Sequence, residues 1–200
     1  MARRPLEEQG DTHEEILEAA FRLFGRYGYD GVSMASVASE AGIKKASLYY
    51  HYPSKERLYY DCTDRLHTLF NQVVLEPMRR NPDGVLAQFL ALFDGVKRLI
   101  ADPRLEHGIA GYWIAPSTAD LLRAREAHDT FTREATAAIS AVLAAGVQTG
   151  EVDYAGDVQA LSRAVMAVVE VIALPLQGRG EAASVIDHLG GTFIQAYLMR

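Results

Sequence analysis

The most informative part of the chain is SMASVASEAGIKKASLYYHYPSK, residues 33–55. It predicts two short helices, over about 33–40 and 44–51. They are joined by a turn at Gly42, because glycine tolerates the left-handed backbone that a steep turn needs. The small side chain of Ala38 leaves room for the two helices to touch. The apolar residues expected to anchor the pair on a preceding helix are Val37, Ile43 and Leu48.

The same spacing leaves lysines and hydroxyl groups pointing away from that anchor. A helix that presents such side chains can enter the major groove of DNA, where they meet base edges and phosphates. The chain has a formal net charge of −6, so it is not expected to coat nucleic acid indiscriminately. Residues 42–57 nevertheless carry four basic residues against Glu56 alone, so the charge is locally arranged.

At these residues the chain resembles the DNA-binding domain of the tetracycline-repressor (TetR) family. The resemblance is carried by AGI at 41–43, SLYYHY at 47–52 and SK at 54–55, and it covers about residues 12–60. Ala35 departs from the pattern, because many relatives place a basic or polar groove residue there.

The resemblance implies a role for each matching position. Phosphate contacts come from the start of the first motif helix and from the start of the fourth helix. The second motif helix supplies contacts to bases and phosphates, and its aromatic rings pack along the sugar-phosphate edge. The implied DNA-binding residues are Ser33, Lys44, Lys45, Ser47, Tyr49, Tyr50, His51 and Lys55.

Helical periodicity continues through the rest of the chain, and no convincing strand pattern appears. A T-x-x-E capping box predicts that the first helix begins at Thr12. Ser54 is expected to cap a long helix that Pro77 closes. Further helices are predicted over about 85–100, 117–147 and 157–176, and near the C-terminus. The predicted fold is all-α with about nine helices. The resemblance implies that they form a helix-turn-helix DNA-binding domain at 1–54 and a ligand-sensing and dimerisation bundle at 55–200.

For the bundle, the resemblance implies a homodimer that binds a palindromic double-stranded DNA operator. It also implies a pocket for a small-molecule effector, for which a hydrophobic or amphipathic inducer is the expected class. Repression is the family's usual mode. The candidate pocket residues are Phe70, Phe89, Phe93, His107, Trp113, His128, Phe131, Met166 and Glu170, and the candidate dimer residues are Val165, Val168, Ile172, Phe193 and Tyr197.

Two other classes of protein remain open from the residues alone. A helical enzyme with a metal site inside the bundle would need paired carboxylates and histidines, and Asp64 with His67 is a single such pair. A helical interaction module, in which the motif is only scaffold, would bind no DNA fragment. We predict no catalytic residue, metal or cofactor. The apolar runs are too short to span a membrane, and the single Cys62 favours a reducing, cytoplasmic location.

Overall fold

The computed structural model describes the backbone of residues 6–105, 112, 121–173 and 182–197, and the side chains of these residues except 6–11, 171–173 and 182. Every regular element in these ranges is helical, which confirms the all-α prediction. A π-helical segment, Asn71–Leu75, joins α4 to α5, so the nine α-helices of the described chain form eight separate runs. The helices are α1 Leu6–Tyr27, α2 Met34–Glu40, α3 Lys45–His51, α4 Lys55–Phe70, α5 Glu76–Arg80, α6 Val85–Ile100, α7 Leu122–Thr149, α8 Val158–Ala173 and α9 Ala182–Tyr197.

The two motif helices begin and end where the sequence predicts. Ser33 caps α2: its hydroxyl oxygen accepts the Ser36 N–H at 3.0 Å, while its own N–H donates to the Ser36 hydroxyl at 3.0 Å. Gly42 has a φ of +65°, so the turn between α2 and α3 uses the left-handed conformation that favours glycine. The Ser54 hydroxyl accepts the Arg57 N–H at 3.2 Å and caps α4, as predicted.

The predicted start of the first helix at Thr12 is wrong. α1 begins at Leu6, and Thr12 lies inside the helix with a buried side chain. The residues before Thr12 include Glu7, Glu8 and Gln9, which are good helix formers, so the helix extends toward the N-terminus past the apparent capping box.

The predicted helix end at Pro77 is also wrong. Proline has no N–H to donate to the carbonyl of Val73, four residues earlier. The chain accommodates this loss with the π-helical segment, in which the Glu76 N–H donates to the carbonyl of Asn71. The guanidinium of Arg98 donates to the Val73 carbonyl at 3.5 Å, and the helix continues to Arg80.

Contacts along the chain divide it into two compact units. The first unit contains residues 1–65 and 107–126, and the second contains residues 66–106 and 127–200. The domain boundary predicted after residue 54 stays a prediction.

The core of the first unit is formed by the apolar faces of α1, α3 and α4. Ile16, Phe24, Leu48 and Leu58 are completely buried. The hydroxyl of Tyr112 donates to the carbonyl of Phe21 at 2.7 Å, so Tyr112 is also tied to α1. α2 and α3 therefore belong to a packed helical core and not to a loop.

The core of the second unit is centred on α6, which packs against the π-helical segment, α5, α8 and α9. Phe89 and Leu92 are completely buried on it. At Gly95 a Cβ atom would lie 2.6 Å from the Val73 carbonyl oxygen, so only glycine allows α6 to approach the π-helical segment this closely. No helix in the described ranges is long and apolar enough to cross a bilayer.

Candidate nucleic-acid interface and ligand groove

The outward side of α3 carries cations and exposed rings. Lys44 and Lys45 are exposed, and within the described part of the chain neither ammonium group forms an ion pair. Tyr50 is 81% exposed and Tyr49 is 43% exposed, although tyrosine normally buries much of its ring. Leu48, on the opposite side, is completely buried, so its packing fixes the direction in which these side chains point.

The remaining predicted DNA contacts are only partly open. Ser33 is exposed, but its hydroxyl already caps α2, while Ser47 and His51 are half-buried. The Lys55 ammonium lies 4.0 Å from the centre of the Tyr29 ring, a cation–π distance, and burial lowers the Lys55 pKa. The Tyr29 hydroxyl donates to Glu56 at 2.7 Å, and this bond lowers the Glu56 pKa. Lys55 is thus held at the start of α4.

The sequence interpretation did not identify His13 as a member of this surface. His13, an exposed residue of α1, stacks on the buried Tyr52 ring with centroids 5.0 Å apart and lies 6.3 Å from the His51 ring. His13 is far from the motif in sequence, and no spacing rule relates it to residues 51 and 52. The tertiary packing of α1 against the end of α3 brings it there.

The second unit carries an open groove of about 510 Å³, lined by α7 and α8. One charged lining group is half-buried, the carboxylate of Glu170, to which the Thr132 hydroxyl donates at 3.4 Å. Burial raises the Glu170 pKa. The principal polar lining residues are His128, Thr132 and Arg133 from α7, and Gln159, Arg163 and Glu170 from α8.

A pair of histidines backs the groove at His128. The Nε2 atom of His67 lies 3.4 Å from the Nδ1 atom of His128, so one neutral ring can donate to the other. The His67 ring stacks on Phe131, with centroids 4.2 Å apart and planes inclined by 3°. Burial, together with the neighbouring His128, lowers the His67 pKa to about 3, and burial also lowers the His128 pKa. Both rings are therefore neutral near pH 7.

The predicted pocket residues do not form one site. His128 and Glu170 line the groove, and the buried Phe131 contacts Phe70 edge-on behind it. Phe89 and Phe93 belong to a separate aromatic cluster, which contains Phe193. Met166 is buried in the core, and His107 and Trp113 lie outside the described residues.

The predicted dimer residues are also divided. Val165 is buried in its own chain, whereas Val168 is 38% exposed, and the side chain of Ile172 lies outside the described part. Phe193 stacks on Phe89 with centroids 4.9 Å apart, and Tyr197 meets Tyr154 edge-on at 5.6 Å.

Comparison with known proteins identifies the family. The family described as "Bacterial regulatory proteins, tetR family" matches residues 16–62, which contain α2, α3 and the turn between them. The chain belongs to the TetR family. This is a family of transcription regulators and not of enzymes.

A curated relative of this TetR-family chain is the biofilm operon icaADBC HTH-type negative transcriptional regulator IcaR of Staphylococcus aureus. It is 31% identical over 81 residues, which is 40% of this chain and 44% of IcaR. The chain thus matches less than half the length of this relative.

Solved structures extend the likeness to more than nine-tenths of the chain at the level of fold. A TetR transcriptional regulator from Chloroflexus aurantiacus has a TM-score of 0.80 at 20% identity, covering 96% of this chain and all of that one. The SmeT–triclosan complex has a TM-score of 0.74 at 20% identity, covering 94% of this chain and 92% of SmeT. At these identities the likeness shows the fold alone.

Proposed function

We propose that this TetR-family chain is a ligand-responsive repressor that binds a palindromic operator as a homodimer and is released by a small inducer. One observation carries the proposal: α3 presents Lys44, Lys45 and Tyr50 to solvent, while Leu48 anchors the opposite side. As a regulator of bacterial genes it would work in the cytoplasm.

The chemistry of α3 suits the major groove. The two ammonium groups neutralise phosphates or donate to base acceptors, and the rings of Tyr49 and Tyr50 pack against the sugar-phosphate edge. Ser33 and Ser47 add hydroxyl contacts. Lys55 is the first residue of α4, and its ammonium is held over the Tyr29 ring. We assign to it the phosphate contact at the start of this helix.

An exposed apolar face on α8 supports the homodimer. Ala160, Ala164, Ala167 and Val168 are all exposed along one side of this helix, whereas Val165 and Val169 are buried. Small side chains permit close helix approach. A two-fold dimer also matches a palindromic operator, with half-sites about 34 Å apart or a multiple of that. Val168, Ile172, Phe193 and Tyr197 stay predicted members of this interface.

The groove of the second unit supports a small-molecule inducer, and SmeT, which shares the fold, is named as a complex with triclosan. α4 begins in the first unit and ends in the second. We infer that a ligand bound in the second unit favours a conformation in which α4 moves and the two reading helices no longer match their half-sites. The effect is limited by the ligand's difference in affinity for the two states, typically about 1–3 kcal/mol.

The test begins with selection of genomic fragments by the purified protein at moderate salt, followed by footprinting of the enriched DNA. A protected palindrome supports the proposal. Enrichment of nothing would instead favour an interaction module in which the helix-turn-helix is scaffold.

The double variant Lys45→Ala with Tyr50→Ala then tests the reading helix. Operator affinity is expected to fall about 100-fold, because each lost contact weakens binding by about 1–3 kcal/mol, while the dimer measured by light scattering stays intact. The matched control, Arg80→Ala with Leu90→Ala, removes one exposed cation and one exposed apolar side chain from the second unit. Specific binding retained by the first pair would overturn the assignment of α3.

A further inference from the structure

We propose that the groove lined by α7 and α8 is the effector site and that it binds an organic cation, with an ammonium group on the Glu170 carboxylate and an aromatic body against His128. This inference rests on the proposed function, since it names the class of ligand to which the regulator responds. It narrows the hydrophobic or amphipathic inducer expected from the sequence to one that carries a positive charge.

The charges of the groove fall into two groups. Asp129, Arg133 and Arg163 are exposed, and the side chain of Arg163 is 63% accessible. Water already solvates these three groups, so a ligand that pairs with them gains little. Glu170 is half-buried, and it is the charged group of the groove for which solvation is poorest.

Hydrogen bonds and ion pairs compensate only weakly for the burial of the Glu170 carboxylate. Its neighbour is the hydroxyl of Thr132, at a long 3.4 Å, and no ion pair with Glu170 exists among the described residues. Burial raises the Glu170 pKa, which means that the ionised form is disfavoured at this position. An ammonium donor restores the lost hydrogen bonds with charge assistance, whereas an anion would add repulsion.

The wall beside Glu170 suits the rest of such a ligand. His128 is four residues before Thr132 on α7, so both lie on one face of the helix and line the same groove. His128 is backed by His67 and Phe131, whose rings are stacked. With both imidazoles neutral, this wall offers flat, uncharged rings that accept an aromatic body and do not repel a cation.

Three probes with one body and different charges separate the possibilities. They are 1-naphthylmethylammonium, the neutral 1-naphthylmethanol and the anionic 1-naphthylacetate, each titrated into the full-length protein by isothermal titration calorimetry at pH 7. We expect the ammonium compound to bind about tenfold or more tightly than the alcohol, and the acetate to bind most weakly. Equal affinities, tightest binding of the acetate, or no binding by any probe would overturn the proposal.

Two variants locate the interaction. Glu170→Gln keeps the shape and removes the charge, so affinity for the ammonium probe is expected to fall about tenfold or more while the alcohol binds as before. Arg163→Gln is the matched control from the same helix and groove, and it should leave ammonium binding unchanged or stronger. If Glu170→Gln leaves the ammonium affinity intact, the carboxylate is not the site.

A DNA measurement keeps this proposal separate from the proposed function. The ammonium probe should weaken operator binding of the unmodified protein and should do so much less for Glu170→Gln. Binding of the operator without binding of any probe would refute the cation site and leave the repressor intact. If the protein binds the ammonium probe through Glu170 but protects no DNA, the proposed repressor function is refuted and the proposed cation site stands.

Discussion

The two units of this protein assemble their candidate sites in opposite ways. The proposed DNA surface comes almost entirely from 23 consecutive residues, 33–55, on two short helices and their caps. The groove draws on residues 128–170, and its backing histidine His67 lies 61 positions from His128. A local pattern encodes the first surface, whereas the second exists only once separate helices have packed.

This difference explains how far the likeness to other proteins reaches. The family match covers residues 16–62 and the curated relative matches over 81 residues, whereas the solved structures that cover nearly the whole chain share only about 20% identity with it. A reading helix must meet the same DNA geometry in every relative, which restricts its side chains. A groove assembled from distant helices can change its lining while the helices keep their places.

The largest expected effect comes from emptying the core of each unit. Leu48→Ala and Leu92→Ala both remove completely buried side chains, so each is expected to lower the free energy of unfolding by about 2–5 kcal/mol. The functional consequences should differ: Leu48→Ala weakens operator binding and spares binding of the naphthylmethylammonium probe, and Leu92→Ala does the reverse.

Urea unfolding, operator titration and calorimetry on the same two variants provide the readouts. The contrast between the units would fail if Leu48→Ala impaired probe binding as strongly as operator binding under conditions where the protein remains folded.

Acidification tests the second unit through its histidine pair. Burial and His128 hold the folded His67 pKa near 3, so the unfolded chain binds a proton that the folded chain rejects between about pH 6.5 and pH 3. The contribution of His67 to the free energy of unfolding is therefore expected to be complete above pH 6.5. On acidification the free energy of unfolding should fall, by up to about 1.4 kcal/mol per pH unit for this one proton.

His67→Gln removes the side chain that binds this proton. It should therefore flatten the pH dependence of the unfolding midpoint, independently of its effect on stability at pH 7. His188→Gln, at an exposed position of α9, serves as the control and should keep the slope. An unchanged slope in His67→Gln would show that the buried pair does not control acid sensitivity.

The smallest effects come from two glycines in different backbone conformations. Gly42→Ala forces a side chain into the left-handed turn of the first unit and is expected to cost about 1–2 kcal/mol. Gly191→Ala lies inside α9, where a Cβ would meet nothing within 4 Å of its own chain, and should stabilise the monomer by up to about 1 kcal/mol.

Thermal unfolding measures both changes, and light scattering shows whether Gly191→Ala weakens the dimer. A weakened dimer would place the partner on this face of α9. Equal destabilisation by the two substitutions at unchanged dimerisation would contradict the backbone argument.

The helical class, the two motif helices with their turn at Gly42, and the outward direction of Lys44, Lys45 and Tyr50 could all be predicted from the amino-acid sequence. These features depend on contacts between residues a few positions apart, through helix period, capping and the φ of one glycine. Ordinary local signals also misled at Thr12 and Pro77, because helix-forming neighbours extended α1 and a π-helical segment absorbed the proline.

Which apolar and titratable side chains share a site became clear only from the packing of the helices. It separated Phe89 and Phe93 from His128 and Glu170, turned Val165 inward, and brought His13 beside His51 and His67 beside His128. Periodicity predicts that a helix has a buried face, but not which other helix will cover it. That choice depends on packing between residues far apart in the chain, and the exposure and pKa of Glu170 and His67 follow from it.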